Sequence, residues 1–219
     1  MSLSEHFCFF QQYLVDPAAV GAWAPSSKWL AAALAAPFAG RTTPACLLEA
    51  GAGTGSVTRR LAGLLRDGDR LDVCEINPVF ARVIRERVLA PRAGLPGEVR
   101  VLCGPAQEID APGTYDFVIS SLPLTVFEPD VVEAILGGIR RNLRPGGVFT
   151  YFEYVAMRGL AKAVFVGRER TRTHAVSDVL DESIGRYQVA CRTVWRNIPP
   201  AIVRYWVFDP PDVAPPLGA

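Results

Sequence analysis

Apolar positions in this chain change their spacing several times, and the changes mark its elements. Residues 45–50, ACLLEA, form a short continuous apolar run that stops at a glycine-rich turn. Residues 56–66, SVTRRLAGLLR, then continue at helical spacing. The exchange recurs: 70–76 (RLDVCEI) and 98–104 (EVRVLCG) read as strands around a helix at 78–89, with Pro78 suited to its first turn. A fourth strand is predicted over 115–122 (YDFVISSL), a helix over 129–143, an Arg-Pro-Gly-Gly turn, and a fifth strand over 148–155 (VFTYFEYV). Strands alternating with helices predict a parallel, doubly wound sheet, and burial of both faces explains the continuous apolar runs.

The two ends depart from that rhythm. Residues 4–15 read as a helix with Phe7, Phe10 and Tyr13 on one face, and 26–36 as a second helix capped by Ser26 or Ser27 after Pro25. Late in the chain, 158–174 carry Arg158, Lys162, Arg168, Arg170 and Arg172 against a single acid, Glu169. Such a run is either a solvated helix face or, with apolar Ala163–Val166 beside it, an interfacial segment. A helix at 177–185 precedes two strands, 187–197 and 201–208, which are separated by Pro199-Pro200 and read as a closing antiparallel pair. The prediction is therefore an α/β fold: a doubly wound, mostly parallel, seven-stranded Rossmann-like sheet. It assigns 1–40 to an N-terminal helical extension, 41–209 to the main domain and 210–219 to a Pro-rich tail.

Composition narrows the classes. With 50% hydrophobic and 21% charged residues over 219 positions, the chain can build a core and is not a disordered segment. A net charge of +1 excludes binding to nucleic acid by overall charge alone. No apolar run approaches the roughly 20 residues of a spanning helix, and the first residues lack the pattern of a secretory signal. A cytoplasmic protein, soluble or peripheral to a membrane, is expected. The five Cys are odd in number and widely spaced, and there are only two His, so neither a disulfide framework nor a metal centre is expected.

The chemistry gathers at the strand ends. Glu49-Ala-Gly51-Ala-Gly53-Thr-Gly55 lies where the first strand becomes a helix, and its glycines let the backbone approach a ligand closely. A dinucleotide fingerprint needs a third glycine at position 56, which is Ser56. S-adenosylmethionine suits the turn better, because its amino-acid end is cationic and Glu49 offers a carboxylate. Glu75 ends the second strand, where a carboxylate accepts both ribose hydroxyls. Ile76, Asn77, Ala106, Gln107, Ser120 and Leu122 complete the expected cofactor shell. The fourth strand ends in Ser120-Ser121-Leu122-Pro123-Leu124. Amine methyltransferases often carry Asn-Leu-Pro-Tyr or Asp-Pro-Pro-Tyr there, and in this chain Ser121 stands for the Asn and Leu124 for the Tyr. Loss of that aromatic argues against a stacked, flipped base as acceptor, although Phe127 can substitute.

Taken together, Asp16-Pro17 through Pro25-Ser26-Ser27, the Glu49–Gly55 turn, Glu75-Ile76-Asn77-Pro78, Ser121–Leu124 and Trp195-Arg196-Asn197-Ile-Pro199-Pro200 resemble the bacterial phospholipid N-methyltransferases of the phosphatidylethanolamine type. The resemblance implies a class I S-adenosylmethionine-dependent methyltransferase, with S-adenosylhomocysteine as product. It also implies successive methylation of phosphatidylethanolamine at the inner face of the membrane. On the cofactor side it carries over to Pro25, Ser26 and Ser27, expected to close over the donor, and to Gly51, Gly53, Gly55 and Glu75.

A lipid amine is mostly protonated at neutral pH and must lose a proton to attack. Tyr151, Glu153 and Ser121 are the candidate catalytic groups. Tyr151 and Glu153 share a face at the end of the fifth strand, where they would also hold a cationic methylated product; a buried strand with Glu153 in a salt bridge is the alternative. Tyr13, Arg196 and Asn197 are candidates for the head group, Arg196 as a phosphate partner. A peripheral monomer without nucleic acid is expected. Ornithine lipid or another lipid amine, an rRNA adenine, and a non-catalytic binding module are the competing readings.

Overall fold

β-Branched and other apolar residues dominate the strand segments, and all seven pair into one sheet. They are β1 (Cys46–Ala50), β2 (Arg70–Glu75), β3 (Glu98–Cys103), β4 (Tyr115–Ser120), β5 (Leu143–Tyr154), β6 (Gln188–Val194) and β7 (Ala201–Val207). The structure is a computed structural model and describes residues 26–92, 94–155 and 168–208. The predicted helix at 4–15 with Tyr13, the residue Pro25, most of the basic run and the tail lie outside them. The strand order is β3-β2-β1-β4-β5-β7-β6. Strands β1 to β5 are parallel, β7 runs antiparallel to β5, and β6 antiparallel to β7. The chain winds outward from β1 to β3, then returns to lay β4 on the other side of β1. The strand order therefore reverses between β1 and β4, the place where open α/β sheets bind ligands at their carboxyl edge.

Alternate residues of the central strands face two cores. On one face Leu47, Leu71, Val73 and Ile119 pack with Leu30 and Leu34 of α1 (Lys28–Leu34), Phe38 of α2 (Ala36–Ala39), Val57 and Leu61 of α3 (Ser56–Ala62), and Ile84. On the other, Leu48, Val118, Phe149, Tyr151 and Trp206 pack with Val132, Ile135 and Ile139 of α5 (Pro129–Asn142) and Leu180 of α6 (Arg168–Tyr187). Between β2 and β3, α4 (Pro78–Val83) continues into the wider-wound turn Ile84–Leu89.

Three elements differ from expectation. The helix expected over 26–36 ends at Leu34 and restarts as α2, since Pro37 has no N–H to continue the ladder and suits only a first turn. The helix expected over 177–185 begins at Arg168 and ends at Tyr187. Its opening turns are charged, so they carry no apolar period to read. The Arg144–Gly147 turn is a break in register within β5, between the pairs Tyr115–Leu143 and Phe117–Val148.

Candidate functional site

The turn after β1 contains Gly51, Gly53 and Gly55 with φ of 75°, 57° and 83°. Two of these positions are set by packing. A Cβ on Gly51 would come within 2.4 Å of Leu122, and one on Gly55 within 2.8 Å of Val88. Gly53 differs: nothing lies within 4 Å of where its Cβ would be, so the backbone there stands open to a ligand.

Glu75 closes the other side of the turn. Its Oε2 accepts the Gly53 N–H at 2.6 Å and its Oε1 the Asn77 N–H at 2.8 Å. Burial raises its pKa, and the backbone donors counter this in part. A carboxylate offers about four acceptor positions, more than the backbone donors at Gly53, Ile76 and Asn77 fill, so acceptor capacity is left for a diol. Asn77 caps α4 by accepting the Val79 N–H at 2.9 Å.

Glu49 is fully buried, and neither of its oxygens has a hydrogen-bond partner. Burial pushes its pKa up to about 8; Thr58 on α3 offsets this only in part, and the charge of Glu75 adds to it. An orphaned carboxyl beside a glycine turn is a ready partner for a cation. On the neighbouring strand, Ser120 Oγ accepts the Leu122 N–H at 3.2 Å and the Ser121 N–H donates to Ala50 O at 2.9 Å. The Ser121 hydroxyl is itself buried with no partner. Unsatisfied Glu49 and Ser121, the free lone pairs of Glu75 and the open Gly53 backbone fit the amino-acid end, acceptor side and ribose of S-adenosylmethionine.

The base side is tighter. Gly51, Ile76, Ala106, Gln107, Leu122 and Phe127 line an apolar cavity of about 40 Å³, room for water but not for a purine. A larger groove, about 520 Å³, runs along β2 and β3 over Asp72, Arg100, Leu102 and Tyr115. It contains none of the expected site residues, and it is open because only the single turn Ala106–Glu108 intervenes between β3 and β4.

Tyr151 is fully buried, stacked on Phe149 with ring centroids 5.4 Å apart and edge-on to Trp206 at 4.8 Å. Its hydroxyl donates to Glu153 Oε1 at 3.4 Å, and the same oxygen is ion-paired with Arg204 Nε. Burial works against the charge on Arg204, and Glu153 more than offsets it. Glu153 thus stands in the buried salt bridge that the sequence offered as the alternative to a catalytic role, and its partner Arg204 is one that sequence reasoning missed, since only the antiparallel register of β5 with β7 brings it there.

Ser27 and Asn197 meet at a second point. The Ser27 N–H donates to Asn197 Oδ1 at 3.1 Å, Ser27 Oγ accepts the Leu30 N–H at 3.2 Å, and Asn197 Nδ2 donates to Pro199 O at 2.8 Å. Asn197 is thus a tie between α1 and the β6–β7 loop. Arg196 is exposed, its guanidinium 5.6 Å from the Trp29 ring. Arg172 is turned inward and donates to Phe127 O at 3.3 Å.

Residues 47–147 match a family model described as a methyltransferase domain. The chain is 31% identical over 154 residues to an ornithine lipid N-methyltransferase of Singulisphaera acidiphila, covering 67% of this chain and 77% of the relative. Among solved structures it resembles the 1,6-didemethyltoxoflavin-N1-methyltransferase of Burkholderia thailandensis with bound 1,6-didemethyltoxoflavin and S-adenosylhomocysteine. The TM-score is 0.60 and the identity 21%, with 93% of this chain and 86% of the other covered. It also resembles a Bacillus cereus O-methyltransferase in complex with S-adenosylhomocysteine, with TM-score 0.57, 20% identity and 95% and 92% coverage.

Proposed function

The chain belongs to the class I S-adenosylmethionine-dependent methyltransferases, and from that membership we propose that it methylates the amine of a membrane-lipid head group, with ornithine lipid as acceptor ahead of phosphatidylethanolamine. The observation that carries this reading is the 31% identity to an ornithine lipid N-methyltransferase across most of both chains. The motifs at Pro25–Ser27 and Trp195–Pro200 keep phosphatidylethanolamine as the second acceptor to test.

S-adenosylmethionine supplies a methyl group on a sulfonium, open to in-line displacement by a neutral amine. The residues of this chain align the two reactants and exclude water. Glu49 faces the ammonium of the donor, Glu75 holds its ribose, and Gly53 admits it to the backbone. Ser121 Oγ, lacking any partner, accepts a hydrogen bond from the primary and then the secondary acceptor amine and so fixes the direction of its lone pair; the neutral dimethylated amine has no N–H to give and is held by the shape of the site. Glu153 is committed to Arg204 and lies beside Tyr151. In this reading the pair positions the acceptor from behind, and the amine proton leaves to solvent. Each added methyl alters the fit little, so mono-, di- and trimethylated products form in succession.

The base-methylating alternative finds less support. Leu124, at the position of the stacking aromatic, is turned into the core at 2% exposure, and Phe127 lines the cofactor cavity.

The test is incubation with methyl-labelled donor and vesicles containing ornithine lipid, phosphatidylethanolamine or both, with rRNA in a parallel reaction. Labelled ornithine lipid is expected. Label confined to phosphatidylethanolamine moves the acceptor, whereas label in RNA, or donor binding with no labelled lipid, overturns the lipid reading.

A further inference from the structure

Four of the six large hydrophobic side chains exposed among the described residues lie together: Trp29 at 42%, Val155 at 41%, Trp195 at 71% and Ile198 at 84%. Trp195 and Ile198 are carried by the loop between β6 and β7. Asn197 between them is buried, and its bond to the Ser27 N–H draws the loop against the start of α1, where Lys28 and Trp29 stand. Val155 flanks the other side, its N–H donating to Pro200 O at 2.9 Å. Two cations border the patch: Lys28 Nζ is 4.7 Å and the Arg196 guanidinium 5.6 Å from the Trp29 ring centroid. No acidic residue occurs in 26–48 or 188–208.

The patch has a fixed relation to the cofactor site. Because β7 runs antiparallel to β5, its first residue, Ala201, pairs with Tyr154 at the carboxyl end of β5. The loop therefore projects from the same edge of the sheet as the Gly51–Gly55 turn. Exposed Trp and aliphatic side chains ringed by cations suit a membrane–water interface, where the indole spans apolar and wet zones and the cations meet phosphates.

We propose that the β6–β7 loop docks the enzyme on an anionic bilayer. Trp195 and Ile198 enter the head-group region, Lys28 and Arg196 contact lipid phosphate, and the site edge then faces the lipid. The proposal rests on the lipid-acceptor reading, which is tested separately in detergent.

The experiment compares the full chain with its Trp195→Ser/Ile198→Ser double variant on vesicles of phosphatidylcholine and phosphatidylglycerol that contain no acceptor lipid. Sedimentation with vesicles is expected to fall by roughly tenfold or more, as apolar burial is lost. S-adenosylhomocysteine affinity, melting temperature and methyl transfer to short-chain ornithine lipid in detergent micelles should stay unchanged. Equal sedimentation of parent and variant, or no binding by the parent, overturns the docking. So does a parent dimer that the substitutions dissociate, which assigns the patch to a second copy. Absence of methyl transfer to both short-chain ornithine lipid and short-chain phosphatidylethanolamine in micelles sinks the acceptor reading, while the vesicle result still decides the docking.

Discussion

Buried on β1 beside Thr58 of α3, which offsets its desolvation only in part, Glu49 links stability to cofactor binding. Its folded pKa of about 8 lies above the ordinary 4.5, so the folded state holds an extra proton between those values. Stability from this group is full below the unfolded pKa and is lost as pH rises through about 8. Glu49→Gln removes that loss, and the ligand-free variant is expected to be more stable than the parent above pH 8, by of order a few kcal/mol at most, with a correspondingly higher melting temperature. Binding reverses the sign. An ammonium beside the carboxyl lowers its pKa, so at neutral pH S-adenosylhomocysteine should release a proton on binding, with affinity rising as pH climbs towards about 8. Calorimetry in two buffers of different ionisation enthalpy measures the release; a Glu49→Gln variant that still shows it would remove the role. Glu75 behaves differently, because its oxygens already accept two backbone N–H groups. Glu75→Ala should weaken S-adenosylhomocysteine binding by about 1.5–3 kcal/mol, the loss of charge-assisted hydrogen bonds. Unchanged affinity in a folded variant would end the ribose assignment.

At the amino edge of the sheet, opposite the site, Arg41 and Asp69 hold the elements in place. Arg41 donates to Phe38 O and Leu64 O, each at 2.8 Å, and is ion-paired with Asp69, which also accepts the Ala45 and Arg66 N–H groups. Burial alone would raise the pKa of Asp69; Arg41 and the two N–H groups reverse this and hold it below the ordinary carboxylate range. Its stability is therefore present above the unfolded pKa and lost as acid takes pH down through the folded one. Asp69→Ala leaves Arg41 buried and unpaired and should cost about 3–5 kcal/mol. The expected result is a sharply lower melting temperature with unchanged S-adenosylhomocysteine affinity in the folded fraction; a matching fall in affinity would contradict the separation of the two edges. Most elements of this scaffold are legible in the sequence because their signals are local: apolar runs for β1 to β4, Pro78 at the start of α4, and an apolar helical face for α5. The early turns of α6 and the irregular start of β5 are not, since charged residues and a glycine pair hide them. Asn197 and Ser27, 170 positions apart, meet only through strand order.

Over the whole molecule, the cofactor half of the site is more legible than the acceptor half. Turn chemistry and strand ends bring out Glu49 to Gly55 and Glu75 as candidates, whereas on the acceptor side the pairing of Glu153 with Arg204 depends on which strand lies beside β5. The proposed docking patch is hidden for a related reason: only the fold shows that Trp29, Val155 and Trp195 stay exposed. With a formal net charge of +1, the molecule has little long-range attraction for an anionic surface. Among the described residues, Lys28 and Arg196 around that patch are placed to make its contact with one, acting within a screening length of about 8 Å at physiological salt. Each cation near the surface contributes roughly 1 kcal/mol, and salt removes that part while leaving apolar insertion intact. Raising sodium chloride should therefore increase the apparent KM for vesicle-borne ornithine lipid several-fold while kcat and S-adenosylhomocysteine affinity hold steady. The same enzyme assayed on short-chain lipid in neutral detergent should show no such change. If KM in the neutral micelles rose in parallel, the salt would be acting inside the catalytic site, on Glu49 or Glu75, and not at the membrane-facing edge.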